Sequence, residues 1–409
     1  MKRKLIVLAV LLIAATIYFL LFHKNKTLKY IPENADAVIL IDVKNLKRQY
    51  IASFATHPSQ WFRGKGKKGN ANFIQESGVE VPDFFQIFHI KNTSFLQWYC
   101  VFELTDKQKF SAYLKQQKFV RKGENIFQKD QLFLKIDGEK CIVGTSDLAF
   151  EKISHSISSG KNVFNADSFI DNSLGSISFI SGQRIRNFSI DLNSDEIEIK
   201  NTPKTENFAP IISDLQQKML FLDAELDAKN IRYFSAFFNV NLADSSQVTH
   251  FKATAELEQV KDTIITYGYD DNFNEIEKKT FQTITQPNYV IVLQSKDVEK
   301  TWQYFQNKKW VNAGNQFTAI PFQPNFVEKN KTGMEIKSTR KPVQLSSKLN
   351  ENYIFVRNNP LLLSSFKTVT ATEKKIVSSI DYIFYGNKGE DYYIILKGKK
   401  EELPLILRW

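Results

Sequence analysis

The sequence predicts an α+β fold: an N-terminal transmembrane helix, then two diverged copies of a strand–helix–strand–helix–three-strand unit forming mainly antiparallel sheet. Three observations carry this. The first is an unbroken apolar run from Leu5 to Phe22, with Lys2, Arg3 and Lys4 before it and Lys24, Lys26 and Lys29 after it. The second is a succession of short apolar stretches bounded by turn residues. Aromatic residues make up 13% of the 409-residue chain, which suits a packed, strand-rich body rather than a disordered one. The third is an internal echo, in which Asp106 to Val120 and Asp297 to Val311 align without a gap.

At about 1.5 Å per residue the apolar run gives about 27 Å of helix, close to a hydrocarbon core of about 30 Å. A cleaved signal peptide has a shorter apolar region and small residues at its end; here the bulky segment Tyr18 to Phe22 stands there instead. An uncleaved anchor is therefore expected ahead of a cleaved signal or a buried soluble helix. The short basic flank before a large body places the tail inside and the body outside. The expected location is the inner (cytoplasmic) membrane, single-pass, with the body facing the periplasm. The expected divisions are residues 1–29 as tail, anchor and linker, 30–165 as the first half, and 166–409 as a longer second half.

Along the first half, Ala37 to Val43 reads as a buried strand. Lys44 to Phe54 follows with Leu46, Tyr50, Ile51 and Phe54 on one helical face. A strand over Phe95 to Leu104 leads to a helix opened by Thr105 or Asp106, because a short oxygen-bearing side chain caps the first free N–H groups. Three short strands come next, near residues 125–128, 131–136 and 140–144. The second copy is expected to open at Ser176 to Ile180. In it, the strand Tyr353 to Val356 stands where Cys141 to Val143 stood. Met219 to Asp227 and Tyr233 to Leu242 alternate around Ala228-Lys229-Asn230, which reads as a β-hairpin. Strands are also expected over 250–258, 263–269 and 289–293, and over 379–385 and 392–397 around Gly386-Asn387-Lys388-Gly389.

No catalytic motif, metal-ligand set or cofactor fingerprint emerges. Gly64-Lys-Gly66-Lys-Lys-Gly69 matches G-x-G-x-x-G, but no strand precedes it, so it reads as a basic loop. Asp270, Asn272 and Asn274 have the spacing that opens a calcium loop, yet Glu275 replaces the sharp-turn glycine and Phe281 the closing acid. His23, His57, His89, His155 and His250 share no ligand spacing. Asp223, Glu225 and Asp227 alternate along a strand and so share one face, expected to be exposed. Cys100 and Cys141 sit in strand-like runs, either bridged in an oxidising compartment or free in the core. The net charge of +11 is spread among acids, which argues against nucleic acid as a partner.

The stretch Ile31-Pro32-Glu33-Asn34-Ala35-Asp36-Ala37-Val38, just after the apolar run, resembles a group of envelope proteins of Bacteroidetes-type bacteria. These begin their extracytoplasmic part with Pro-x-x-Ala-Asp-Ala-Val and then a strand and helix. The resemblance implies location and architecture and carries no activity. The expected function is a membrane-anchored extracytoplasmic binding or scaffolding protein, held to the membrane through Leu5 to Phe22 and meeting a protein partner of the envelope. The alternatives are an envelope enzyme whose site is assembled from distant residues, and a cytoplasm-facing basic domain that binds anionic lipid or nucleic acid. No cofactor is expected, and a small-molecule ligand is left open.

Overall fold

Strand accounts for 46% of the structure and helix for 24%, so sheets set the framework and helices cover them. The computed structural model describes residues 16, 18–60, 77–159, 164–202, 208–237, 247–270, 273–320, 324–361, 371–401 and 403–408. The chain divides into two compact units, Met1–Asn201 with Glu401–Trp409, and Thr202–Lys400.

In the first unit the strands are β1 (Ala35–Asp42), β2 (Phe84–Ile90), β3 (Trp98–Glu103), β4 (Val120–Gly123), β5 (Ile126–Lys129), β6 (Leu132–Asp137), β7 (Lys140–Gly144), β8 (Gly175–Ser181), β9 (Arg184–Leu192) and β10 (Glu196–Lys200). All pair antiparallel, in the spatial order β4-β5-β6-β7-β3-β2-β1-β8-β9-β10. Helix α1 (Val43–Thr56) follows β1, α2 (Lys107–Gln116) follows β3, and α3 (Phe150–Ser159) follows β7. One sheet face packs Val38, Leu40, Phe88 and Tyr99 against Phe150 and Ile153 of α3. The other packs Leu134 and Cys141 against Phe110 and Leu114 of α2.

The second unit runs α4 (Ala209–Gln217), β11 (Leu222–Asp227), α5 (Ala228–Phe237), β12 (Val248–Tyr269), β13 (Glu275–Ser295), α6 (Val298–Asn307), β14 (Asn325–Asn330), β15 (Gly333–Ser338), β16 (Asn352–Arg357), α7 (Ala371–Ser379), β17 (Ile380–Lys388) and β18 (Asp391–Gly398). Its antiparallel sheet has the order β14-β15-β13-β12-β11-β16-β17-β18. That order repeats β6-β7-β3-β2-β1-β8-β9-β10 of the first unit, with a helix after the first and third strands of each. The two aligned aspartates cap equivalent helices. Asp106 accepts from the N–H groups of Gln108 and Lys109 at the start of α2, and Asp297 from that of Lys300 at the start of α6. Leu114 and Phe305, matched in the alignment, are both buried under these helices.

Several expectations are corrected. No helix among the described residues is long and apolar enough to cross a membrane. The N-terminal transmembrane helix expected over Leu5 to Phe22, and the single-pass anchor with it, is therefore not supported; residues 5–15 and 17 of that stretch lie outside the described residues. Within it, Thr16 and Tyr18 to Leu21 are helical. Arg48 of α1 donates to the Leu21 carbonyl at 2.6 Å, and Lys44 to the Phe19 carbonyl at 3.2 Å.

The repeated unit is strand–helix–two strands–helix–strands, because Phe84–Ile90 is a strand where none was expected. Ser176 to Ile180 does not open a second copy. It lies in β8, which pairs with β1 inside the first unit, so the division falls after Asn201 rather than after residue 165. The strand equivalent to Tyr353 to Val356 is accordingly β8, not the Cys141 strand. Residues 228–237 form helix α5 instead of turning a hairpin. Asp227 caps α5, accepting from the Asn230 N–H at 2.8 Å, and Ile231 and Ser235, four residues apart, are both buried.

If the two caps are equivalent, Asp106→Ala and Asp297→Ala should each lower the unfolding free energy by about 1 kcal/mol, while the asparagine variants retain most of it. Denaturant titration of the four variants measures this. An alanine variant as stable as the parent would show that the cap contributes nothing.

Candidate functional site: a buried ion network and a projecting arm

The polar centre of the second unit lies where β11, β12 and β16 meet. Asp223 and Glu225 alternate along β11 with Ala224 and Leu226, and all four are buried, so this strand is covered on both faces. The three acids were expected on an exposed face. The irregular segment before β16 covers them instead, and of the three only Asp227 is exposed. Lys252 of β12, 2% exposed, stands between the carboxylates, with Nζ 3.1 Å from Glu225 Oε2 and 3.5 Å from Asp223 Oδ1. Lys252 also donates to the Tyr353 hydroxyl at 2.8 Å, which donates onward to Asp223 Oδ1 at 2.6 Å. Thr254 donates to Asp223 Oδ2 at 2.9 Å, and His250 Nε2 lies 3.3 Å from Glu225 Oε1.

The covering segment is tied to the same groups. The backbone N–H groups of Leu349 and Asn350 each donate to Glu225 at 2.9 Å, and that of Ser346 to Thr254 Oγ1 at 3.1 Å. Burial by itself would raise the Glu225 carboxyl. The Leu349 N–H, the Lys252 ammonium and His250 outweigh it and hold the group below the usual glutamate range. Burial and then the Asp223 charge push the Tyr353 hydroxyl far up, so it stays protonated as a donor. Each carboxylate has its partners, and the network is closed to solvent. It is a fastener for the segment before β16.

The second feature is the outer half of the β12–β13 hairpin. The buried cluster on this face draws on Ala255 and Tyr289 and includes no residue between them. Beyond Val260↔Ile284 the two strands continue for nine paired positions, from Lys261↔Thr283 to Tyr269↔Glu275. At about 3.4 Å per residue this is an arm about 30 Å long. β11 pairs with β12 no further than Ala255, and β15 with β13 no further than Val290, so among the described residues both arm edges lack a neighbouring strand. Ile265 is 46% exposed, Tyr267 66%, Tyr269 72% and Phe281 72%, and pairing places all four on one face of the ribbon. An isolated two-stranded ribbon is marginal in water, and a contiguous apolar stripe on it marks a contact surface.

The remaining candidates stay apart. Residues 64–69 lie outside the described residues, as do Asp271 and Asn272. Asp270 closes the arm's tip, accepting from the Asn274 N–H at 2.8 Å. Among the described residues no group of three His, Cys, Asp or Glu side chains is placed to hold a metal ion. His89 sits beside Asp36 at 2.5 Å in the first unit, far along the chain from His250. Cys100 and Cys141 are free rather than bridged. Burial pushes the Cys100 thiol up to about 12 and raises Cys141 as well, so neither is a nucleophile at neutral pH. A small polar cavity of about 180 Å³ in the first unit holds Tyr30, Glu80 and Glu103. The Tyr30 hydroxyl donates to Glu103 and lowers its pKa, while burial and then the Glu103 charge raise Glu80. The pair could exchange a proton, but the cavity is smaller than the ~300 Å³ at which ligand sites begin.

No family model, curated protein or solved structure matches the chain. Its own geometry is what distinguishes the two features, the network holding the unit together and the arm leaving it.

Lys252→Met keeps the length of the side chain and strands two carboxylates in the core. It should cost about 3–5 kcal/mol in denaturant unfolding; a loss under 1 kcal/mol would contradict the network's role. Because Glu225 is held below its unfolded pKa, its contribution is full above the ordinary glutamate range and is lost as pH falls through the lowered value. Glu225→Gln should therefore flatten the acid limb of the stability–pH curve. An unchanged limb would contradict the assignment.

Proposed function

We propose that the protein is a binding or scaffolding component that grips a protein partner through the β12–β13 arm. The observation that carries this reading is nine paired positions of ribbon with open edges and an aromatic face, contributing nothing to the unit's own core. Such a ribbon is stabilised when a partner covers its apolar stripe or adds a strand to its edge. The fastened inner half supports this reading, since the Lys252 network keeps the base of the arm rigid. The envelope setting rests on the resemblance of residues 31–38.

The test is a photo-crosslinking residue placed at Tyr267 in the cell, with the same residue at Met219, 88% exposed and outside the arm, as control. A discrete adduct from position 267 and none from 219 is the expected result. No adduct at 267, or equal diffuse labelling at both, would overturn the proposal.

A further inference from the structure

The two edges of the arm differ in chemistry. Along β13 the outer strand reads Glu275-Ile276-Glu277-Lys278-Lys279, and charged side chains on an edge discourage strand addition. Along β12, beyond Lys261 and Asp262 at its base, the arm reads Thr263-Ile264-Ile265-Thr266-Tyr267-Gly268-Tyr269, without a charge or proline and rich in β-branched and aromatic residues. That is the composition that pairs with another strand. One edge is guarded and the other is not.

Resting on the reading of the arm as the contact element, we infer that its partner is a second copy of this chain, joined antiparallel along residues 263–269 of β12 about a two-fold axis at Ile265. In this register Ile265 faces Ile265 of the second copy. Thr263 faces Tyr267 and Lys261 faces Tyr269, each twice, so a cation lies against an aromatic ring rather than another cation. On the opposite face Ile264 meets Thr266 and Asp262 meets Gly268. No like charges oppose each other. The joined ribbon has the order β13-β12-β12-β13, which puts the charged β13 strands outermost on both sides. Such a sheet accepts no third copy, so the assembly closes as a symmetric dimer.

The two-fold axis gives the test its form, because residue 265 opposes itself. Sedimentation velocity of the full chain over a concentration series should show a dimer. Ile265→Lys and Ile265→Glu should each weaken dimerisation at least tenfold, since like charges then face each other. An equimolar mixture of the two should restore it as a heterodimer. Lys279→Ala, on the guarded edge, should leave it unchanged. Circular dichroism checks that the variants fold, as expected for a side chain outside the core. A monomeric parent, charged variants that dimerise as the parent does, or a mixture that stays monomeric would overturn the inference. A monomeric parent whose position 267 still crosslinks to a different protein removes the second copy but leaves the arm as a contact element. A monomer with no adduct removes both.

Discussion

The continuous pairing of β12 with β13 is the constraint on which the second unit depends. Its inner half is locked from both sides, by β11 against residues 250–255 and by β15 against residues 290–294. Side chains alternate along a strand, so a slip of one residue would turn Lys252 out of the network and Ala253 into it. The register is thereby fixed at the base and carried outward to Tyr269↔Glu275. The arm's aromatic face follows from decisions made in the core about 30 Å away.

The ion network secures the same base. Removing a lysine and two carboxylates from water is costly, and pairing them seldom gives a net gain over an apolar core. What this arrangement contributes is position. Glu225 takes two backbone N–H groups from a segment with no regular structure, and Lys252 donates to the Ser347 carbonyl at 3.1 Å. An apolar side chain at these places would bury surface but hold no backbone. The segment that closes over β11 is kept there by hydrogen bonds that only polar groups provide.

Much of the framework was legible in the sequence. Asp106 and Asp297 announce their helices because capping is local chemistry, and the C-terminal hairpin is marked by Gly389, whose φ of +65° suits the turn. The features misread are those decided by distant residues. Asp223 and Glu225 look like an exposed stripe until Lys252 and Tyr353 are brought beside them. Residues 228–230 read as a hairpin turn and 233–242 as a strand by alternation, whereas the Asp227 cap opens a helix over 228–237. Phe84–Ile90 is apolar at nearly every position because both of its faces are covered, so it shows no alternation. Of the arm, the strand over 263–269 was visible, but its partner was expected only at 289–293, whereas β13 begins at Glu275. What could not be read was that, among the described residues, no further strand pairs with them along the arm.

The most direct test of this account is amide hydrogen exchange across residues 248–295 at two protein concentrations far apart. The account predicts strong protection at 250–255 and 290–294 at both. It predicts protection at 263–269 that appears only at the higher concentration, with residues 275–279 unchanged. Protection of 263–269 that is equal at both concentrations, or absent at both, would contradict it.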